Sequence, residues 1–145
     1  MSKEIINRVS NSSLITIDLS DYAPKVLIKE LDIKNFLFKE IILKEKEFRS
    51  NIKEFDFSEY KNTIVSLFCS SDAVVPMWAY MLVSSHLNPI CSHLYFGKKE
   101  DVFQKLVLEN INSIDAGEFH NKKVIIKGCG NVTLSESLYV AITQK

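Results

Sequence analysis

The side chains best suited to chemistry in this sequence are its three cysteines, Cys69, Cys91 and Cys129. A thiolate is both nucleophile and soft metal ligand, and a helix N-terminus lowers its pKa. Cys69 lies in TIVSLFCSSDAVVPMWAY, residues 63–80. There an apolar, β-branched run reads as a buried strand and Cys-Ser-Ser-Asp as a turn. Pro76 opens a helix on which Val75, Trp78, Ala79, Leu82 and Val83 recur at helical spacing. Cys129 follows Val124-Ile125-Ile126, which reads as a second buried strand, sits between Gly128 and Gly130, and precedes another helical segment. Each thiol therefore falls in a loop between strand and helix, the setting of a ligating or reactive cysteine. The alternative is a small hydrophobe packed at a tight turn. Cys69 and Cys129 are the candidate metal ligands. No C-x-x-C pair exists, so a zinc ribbon is excluded and a joint site requires both loops to converge in space. Cys91, after Asn88-Pro89, reads as packed.

Asp72, Trp78, Tyr80, Gly128 and Gly130 complete the candidate site. Trp78 and Tyr80 suit either core or partner contact. The glycines suit a turn at positive φ, or close approach of backbone to an anion at the following helix N-terminus. Their spacing matches neither a dinucleotide fingerprint nor a Walker loop. His86, His93 and His120 fall in separate elements and form no ligand pattern with a cysteine. Asp56 with Glu59 and Asp115 with Glu118 resemble catalytic carboxylate pairs, but their place before strands suits turn and cap chemistry.

The elements that must position these residues alternate. Residues 14–19 and 25–33 read as strands. Residues 38–55 read as a helix with Ile41, Phe48, Ile52 and Phe55 on one face. A strand at 93–96 ends at Gly97, and Val102, Phe103, Leu106, Val107 and Ile111 mark an amphipathic helix. The last helix starts at Thr133 and Glu136 in capping-box spacing and buries Leu134, Leu138, Ala141 and Ile142. An internal likeness underlies this order. At an offset of 59, residues 51–65 lie on residues 110–124, matching Asn51, Ile52, Asp56, Glu59, Asn62 and Val65 to Asn110, Ile111, Asp115, Glu118, Asn121 and Val124. Tyr80 falls on Tyr139, and Cys69 and Cys129 miss each other by one position. The expected fold is α/β: one domain over residues 1–145, made of two tandem pseudo-repeats (about 36–87 and 95–145), with a mostly parallel sheet covered by helices. Ligands of such sheets bind beyond the carboxyl ends of the strands, where both cysteine loops lie. The second copy reaches Lys145 without a counterpart of strand 93–96, which predicts an open sheet edge and a homodimer or protein partner there.

Composition narrows the function classes. Eighteen basic residues balance 18 acidic ones, which argues against a general nucleic-acid binder. Arg8 and Arg49 are the only arginines, so no Arg cluster for bidentate phosphate recognition exists. No apolar run is long enough to span a membrane, and the N-terminus lacks a signal-peptide core. The expected location is cytoplasmic, where thiols stay reduced.

Residues 69–82 (CSSDAVVPMWAYML) and 124–140 (VIIKGCGNVTLSESLYV) resemble the two signature segments of domain of unknown function family 2480, known from Bacteroidetes. ITIDLSDY (15–22) and FLFKEIILKEKEFR (36–49) resemble it too. The family has no established activity. The resemblance implies a place near iron–sulfur cluster assembly, and a further strand with a Gly-Glu-Pro-Cys-type tail that this sequence lacks. Three readings follow. In the first the protein is a non-catalytic accessory factor of that process, with Cys69 and Cys129 holding a metal such as zinc, an iron–sulfur cluster or persulfide sulfur. In the second it is a protein-interaction module whose cysteines only pack. In the third, a thiol enzyme, Cys69 would need a base that no nearby residue supplies.

Overall fold

The computed structural model describes residues 14–128 and 133–145. Among them are five strands, β1 (Leu14–Asp18), β2 (Ile28–Asp32), β3 (Ile64–Phe68), β4 (His93–Phe96) and β5 (Lys123–Lys127), and four α-helices, α1 (Glu45–Glu54), α2 (Met77–Leu87), α3 (Lys99–Asn112) and α4 (Glu136–Thr143). The fold is α/β, and every strand pairing is parallel. The strands are divided over two sheets, β2-β3-β4 and β1-β5. The chain forms two compact units: a continuous one, Lys25–Val102, and a split one that joins Met1–Pro24 to Phe103–Lys145.

In the continuous unit β3 is the central strand, and Ile64, Val65, Ser66 and Leu67 are all buried. That is why its sequence is apolar at every position but Ser66 rather than alternating. α1 contributes Phe48 and Ile52 to the core, and α2 contributes Ala79, Val83 and Leu87. β4 stops at Gly97, whose φ of 132° is a conformation that L side chains rarely adopt.

The split unit repeats this plan. β1 pairs with β5 from Leu14↔Lys123 to Asp18↔Lys127, and β2 pairs with β3 from Ile28↔Ile64 to Asp32↔Phe68. Offsets of 14 for the first strand and 59 for the second turn one register into the other. After each first strand a 3-10 turn follows (Leu19–Tyr22 or Ile33–Phe36), capped by the strand's last residue: Asp18 accepts from Ser20 N at 3.0 Å, Asp32 from Lys34 N at 3.1 Å. Asn110 on α3 donates to Tyr22 O, and Asn51 on α1 donates to Phe36 O. Asp56 caps Ser58 N and Asp115 caps Gly117 N, so these carboxylates have the turn role expected of them. Asn62 and Asn121 both enter their strands at φ 60°. The split unit's buried core of Ile17, Leu19, Val107, Ile111, Leu138 and Ile142 falls residue for residue on Leu31, Ile33, Phe48, Ile52, Ala79 and Val83. Where one unit has Phe48 and Ala79, the other has Val107 and Leu138, a trade of large for small that keeps the volume filled.

Two expected helix starts are corrected. The first long helix starts at Glu45, not near residue 38, because Lys39 (φ 49°) and Glu40 (φ 63°) turn the chain left-handed and Phe38 bridges Ile42. Ile41 consequently lies 62% exposed instead of on a buried helical face. Residues 56–62 contain a 3-10 turn, Ser58–Tyr60. The last helix starts at Glu136 after Ser135, with no capping box from Thr133. Gln104 of α3 serves this end instead, accepting from Ser135 N at 3.1 Å and donating to Thr133 O.

Candidate functional site

The carboxyl ends of β2 and β3 place Asp32, Cys69, Ser70 and Ser71 together. Asp32 ends β2 and uses both carboxylate oxygens. Oδ1 accepts from Ser70 N at 3.1 Å as well as from Lys34 N, and Oδ2 accepts from Ser70 Oγ at 2.6 Å. A carboxylate held by three donors fixes the loop that follows β3, since charge-assisted bonds are the stronger class. Cys69 is half-buried, with Sγ 3.4 Å from Ser71 Oγ and 3.8 Å from Ser71 O. Ser71 Oγ also accepts from Ala73 N at 3.3 Å. The thiol thus belongs to a hydroxyl-lined turn rather than facing a base. The three histidines are occupied elsewhere or exposed: His86 stacks on Phe57 and His93 on Tyr95, while His120 is exposed.

Tyr80, one turn into α2, faces this corner. Burial, followed by the charges of Cys69 and Asp32, pushes its phenol above the ordinary tyrosine value. Its ring meets Phe96 edge-on at 5.5 Å. Ala73, Val75, Met77, Tyr80 and Phe96 line a groove of about 470 Å³. Trp78 is a core-edge residue, edge-on to Phe48 at 5.7 Å with the Arg49 guanidinium 4.5 Å from its ring. Asp72 is exposed and lines a second groove with Ile41, Ile42, Leu43 and Val74. Cys91 packs against the core, where burial pushes its thiol up.

In the split unit the position of Cys69 is taken by Gly128. A Cβ at Gly128 would meet Tyr139 Oη, and would come within 2.6 Å of Leu134 Cδ1. Gly128 is therefore required by close packing and not by a left-handed φ, which corrects the turn-based expectation. Cys129 and Gly130 lie outside the described residues. Asp32 and Ser70 were not singled out in the sequence. The signal that could have found them is the recurrence of an acidic residue between two aliphatic ones, Ile17-Asp18-Leu19 and Leu31-Asp32-Ile33, at strand ends.

The donor set bears on the expected metal. Among the described residues no three His, Cys, Asp or Glu side chains form a group that could hold an ion. Cys69 with a serine hydroxyl and a backbone carbonyl does not make a closed tetrahedral thiolate site, so no step through a metal is derived. No helix among the described residues is long and apolar enough to cross a membrane.

Fold and site together define a parallel-stranded α/β protein with two like-built units and an apolar groove beside a hydroxyl-rich cysteine loop. The chain matches, over residues 3–145, the family described as "Protein of unknown function (DUF2480)", and it belongs to that family. No curated protein and no solved structure matches it.

Proposed function

We propose that the protein is a non-catalytic accessory module that docks on a protein partner through the face beside the Cys69 loop. One observation carries this reading. Met77 and Phe96, 73% and 75% exposed, line the groove with Tyr80; Met81, 70% exposed, follows Met77 one turn later on α2, and Val74, 89% exposed, lines the second groove, which shares Ala73 with the first. Large apolar side chains left open together mark interaction surfaces, and methionines suit surfaces that adapt to a partner. The resemblance noted in the sequence points to the partners as proteins of iron–sulfur cluster assembly, and the N-terminal sequence, without a signal-peptide core, points to action in the cytoplasm. The test is titration of purified protein against an iron–sulfur scaffold protein by calorimetry. Met77→Asp and Phe96→Asp should abolish binding while leaving the circular dichroism spectrum unchanged. Undiminished binding by both variants would remove this face from the interaction.

A second reading, sulfur or metal ligation at Cys69, is favoured by the partial exposure of this residue directly after β3. Anaerobic reconstitution with iron and sulfide, and titration with zinc, separate the two. Uptake lost in both Cys69→Ser and Cys129→Ser supports ligation. Equal, negligible uptake by wild type and both variants leaves docking alone.

A further inference from the structure

One side of β5 in the split unit is shaped for a strand that none of the described residues supplies. In the continuous unit the matching side of β3 is filled by the chain itself. Asn62 N donates to Ile90 O at 3.1 Å, Ser92 N to Thr63 O at 2.8 Å and Gly97 N to Leu67 O at 2.9 Å, and β4 runs parallel between them. Leu87, Ile90, Cys91 and Leu94 pack over the core there. In the split unit no described strand pairs with β5 on that side. The same place is a groove of about 420 Å³ whose lining includes Ile17, Ile114, Phe119, Val124 and Ile126. By position these are Leu31, Phe55, Tyr60, Val65 and Leu67 of the continuous unit, all of them in or against its core. Alternation along a parallel strand turns the amides of Val124 and Ile126 to the open side, as it turns those of Val65 and Leu67 to β4. The border differs in charge. Lys122, Lys123 and Lys127 are exposed along β5 and Lys145 lines the groove, where the continuous unit has Thr63, Ile64, Phe68 and His86.

We propose that β5 and this groove take an extended segment of a partner protein. The segment adds as a strand parallel to β5, sets apolar side chains spaced like Ile90 and Leu94 into the groove, and carries acidic residues on its flanks. Main-chain bonds to an unpaired edge and pockets for alternate side chains are the two parts of recognition by strand addition. The lysine border selects acidic flanks. This surface is separate from the Cys69 face and does not depend on its role.

The probe is a peptide of the sequence of residues 87–97 with a Glu pair added at each end, mixed with the full chain. Binding is read by fluorescence anisotropy, and amide exchange by NMR. The peptide should bind, slow exchange at Val124 and Ile126, and weaken as salt rises. Methylation of the peptide nitrogens at the Ser92 and Gly97 positions should weaken it by on the order of tenfold, through loss of two backbone hydrogen bonds. Three results overturn the proposal: no binding at millimolar peptide, equal affinity of the methylated peptide, or slowed exchange at Val65 and Leu67 instead. Protection of Val124 and Ile126 that grows with protein concentration without peptide would make a second copy the occupant, and would overturn the partner strand.

Discussion

Val65 and Val124 hold matching positions in β3 and β5, yet Val65 is 0% exposed and Val124 36%. The sequences are nearly as close as the settings are different: Ile64-Val65-Ser66-Leu67-Phe68 against Lys123-Val124-Ile125-Ile126-Lys127. The difference follows from neighbours. β3 has a strand on each side, and β5 has only β1 among the described residues. Burial on both faces and both edges demands an apolar residue at nearly every position. An edge strand accepts lysine at its ends, and lysine also discourages unwanted pairing. One backbone plan therefore carries three strands in one unit and, among the described residues, two in the other.

The sharpest test of that comparison is a charge placed at each position. Val65→Asp should cost more than about 4 kcal/mol and leave the continuous unit unfolded, because a buried carboxylate finds no partner there. Val124→Asp should shift stability by less than about 1 kcal/mol. Urea denaturation monitored by Trp78 fluorescence reads the first, and the second requires far-ultraviolet circular dichroism as well.

Next in size is the exchange of Cys69 for Gly128 at one position of the plan. Gly128→Ala should destabilise by about 1–3 kcal/mol through overpacking against Tyr139 and Leu134. Adding Tyr139→Phe, which removes the hydroxyl, should recover a measurable part. Cys69→Ala should cost less than Gly128→Ala in the same thermal melts. Equal costs would show that the two loops pack alike.

The asparagines test where the units are the same. Asn62→Ala and Asn121→Ala should each cost about 1 kcal/mol, since alanine tolerates φ 60° poorly, whereas the glycine variants should stay near wild type. A large inequality between the two sites would break the likeness.

The effect absent at neutral pH is a pH dependence confined to one unit and seen only in alkali. Tyr60 falls on Phe119 at the 59-residue offset, so only the continuous unit can titrate here. Burial, with the negative charge of Glu59 second, pushes the Tyr60 phenol up to about 12. A folded-state value above the unfolded one favours the protonated form. Its contribution is therefore complete below the unfolded value of 10.0 and disappears as pH rises from there through about 12. Unfolding midpoints across that range should fall more steeply for wild type than for Tyr60→Phe.

Much of this architecture was legible in the sequence. β3 and β5 announced themselves as short apolar runs before turns, but the burial expected of β5 is not found: Val124 and Ile125 are exposed, because β5 has a described strand on one side only. Asp56, Asp115, Asn62 and Asn121 aligned without gaps. The residues with helical spacing misled only where backbone conformation overrode it. Ile41 keeps the period of Phe48 and Ile52, but Lys39 and Glu40 adopt left-handed conformations that side-chain pattern does not encode. The likeness of β1 to β2 escaped notice because it rests on short segments at a different offset, and because which strands share a sheet depends on pairings remote in sequence. In the site, the loop bearing Cys69 was visible from local pattern. Asp32, 38 residues from the Ser70 it holds, was not.

The insertion of the continuous unit within the split one sets an order on biosynthesis. β1 is made early, yet its partner β5 is translated roughly a hundred residues later. Contacts so distant along the chain form slowly, because the intervening loop must close first, and nascent domains fold as units while the rest is still being made. The continuous unit holds all its own strand partners and can complete its sheet during translation. β1, with apolar Ile15 and Ile17, must meanwhile wait for β5, its one partner among the described strands, making it the segment on which a nascent-chain chaperone would have most to do.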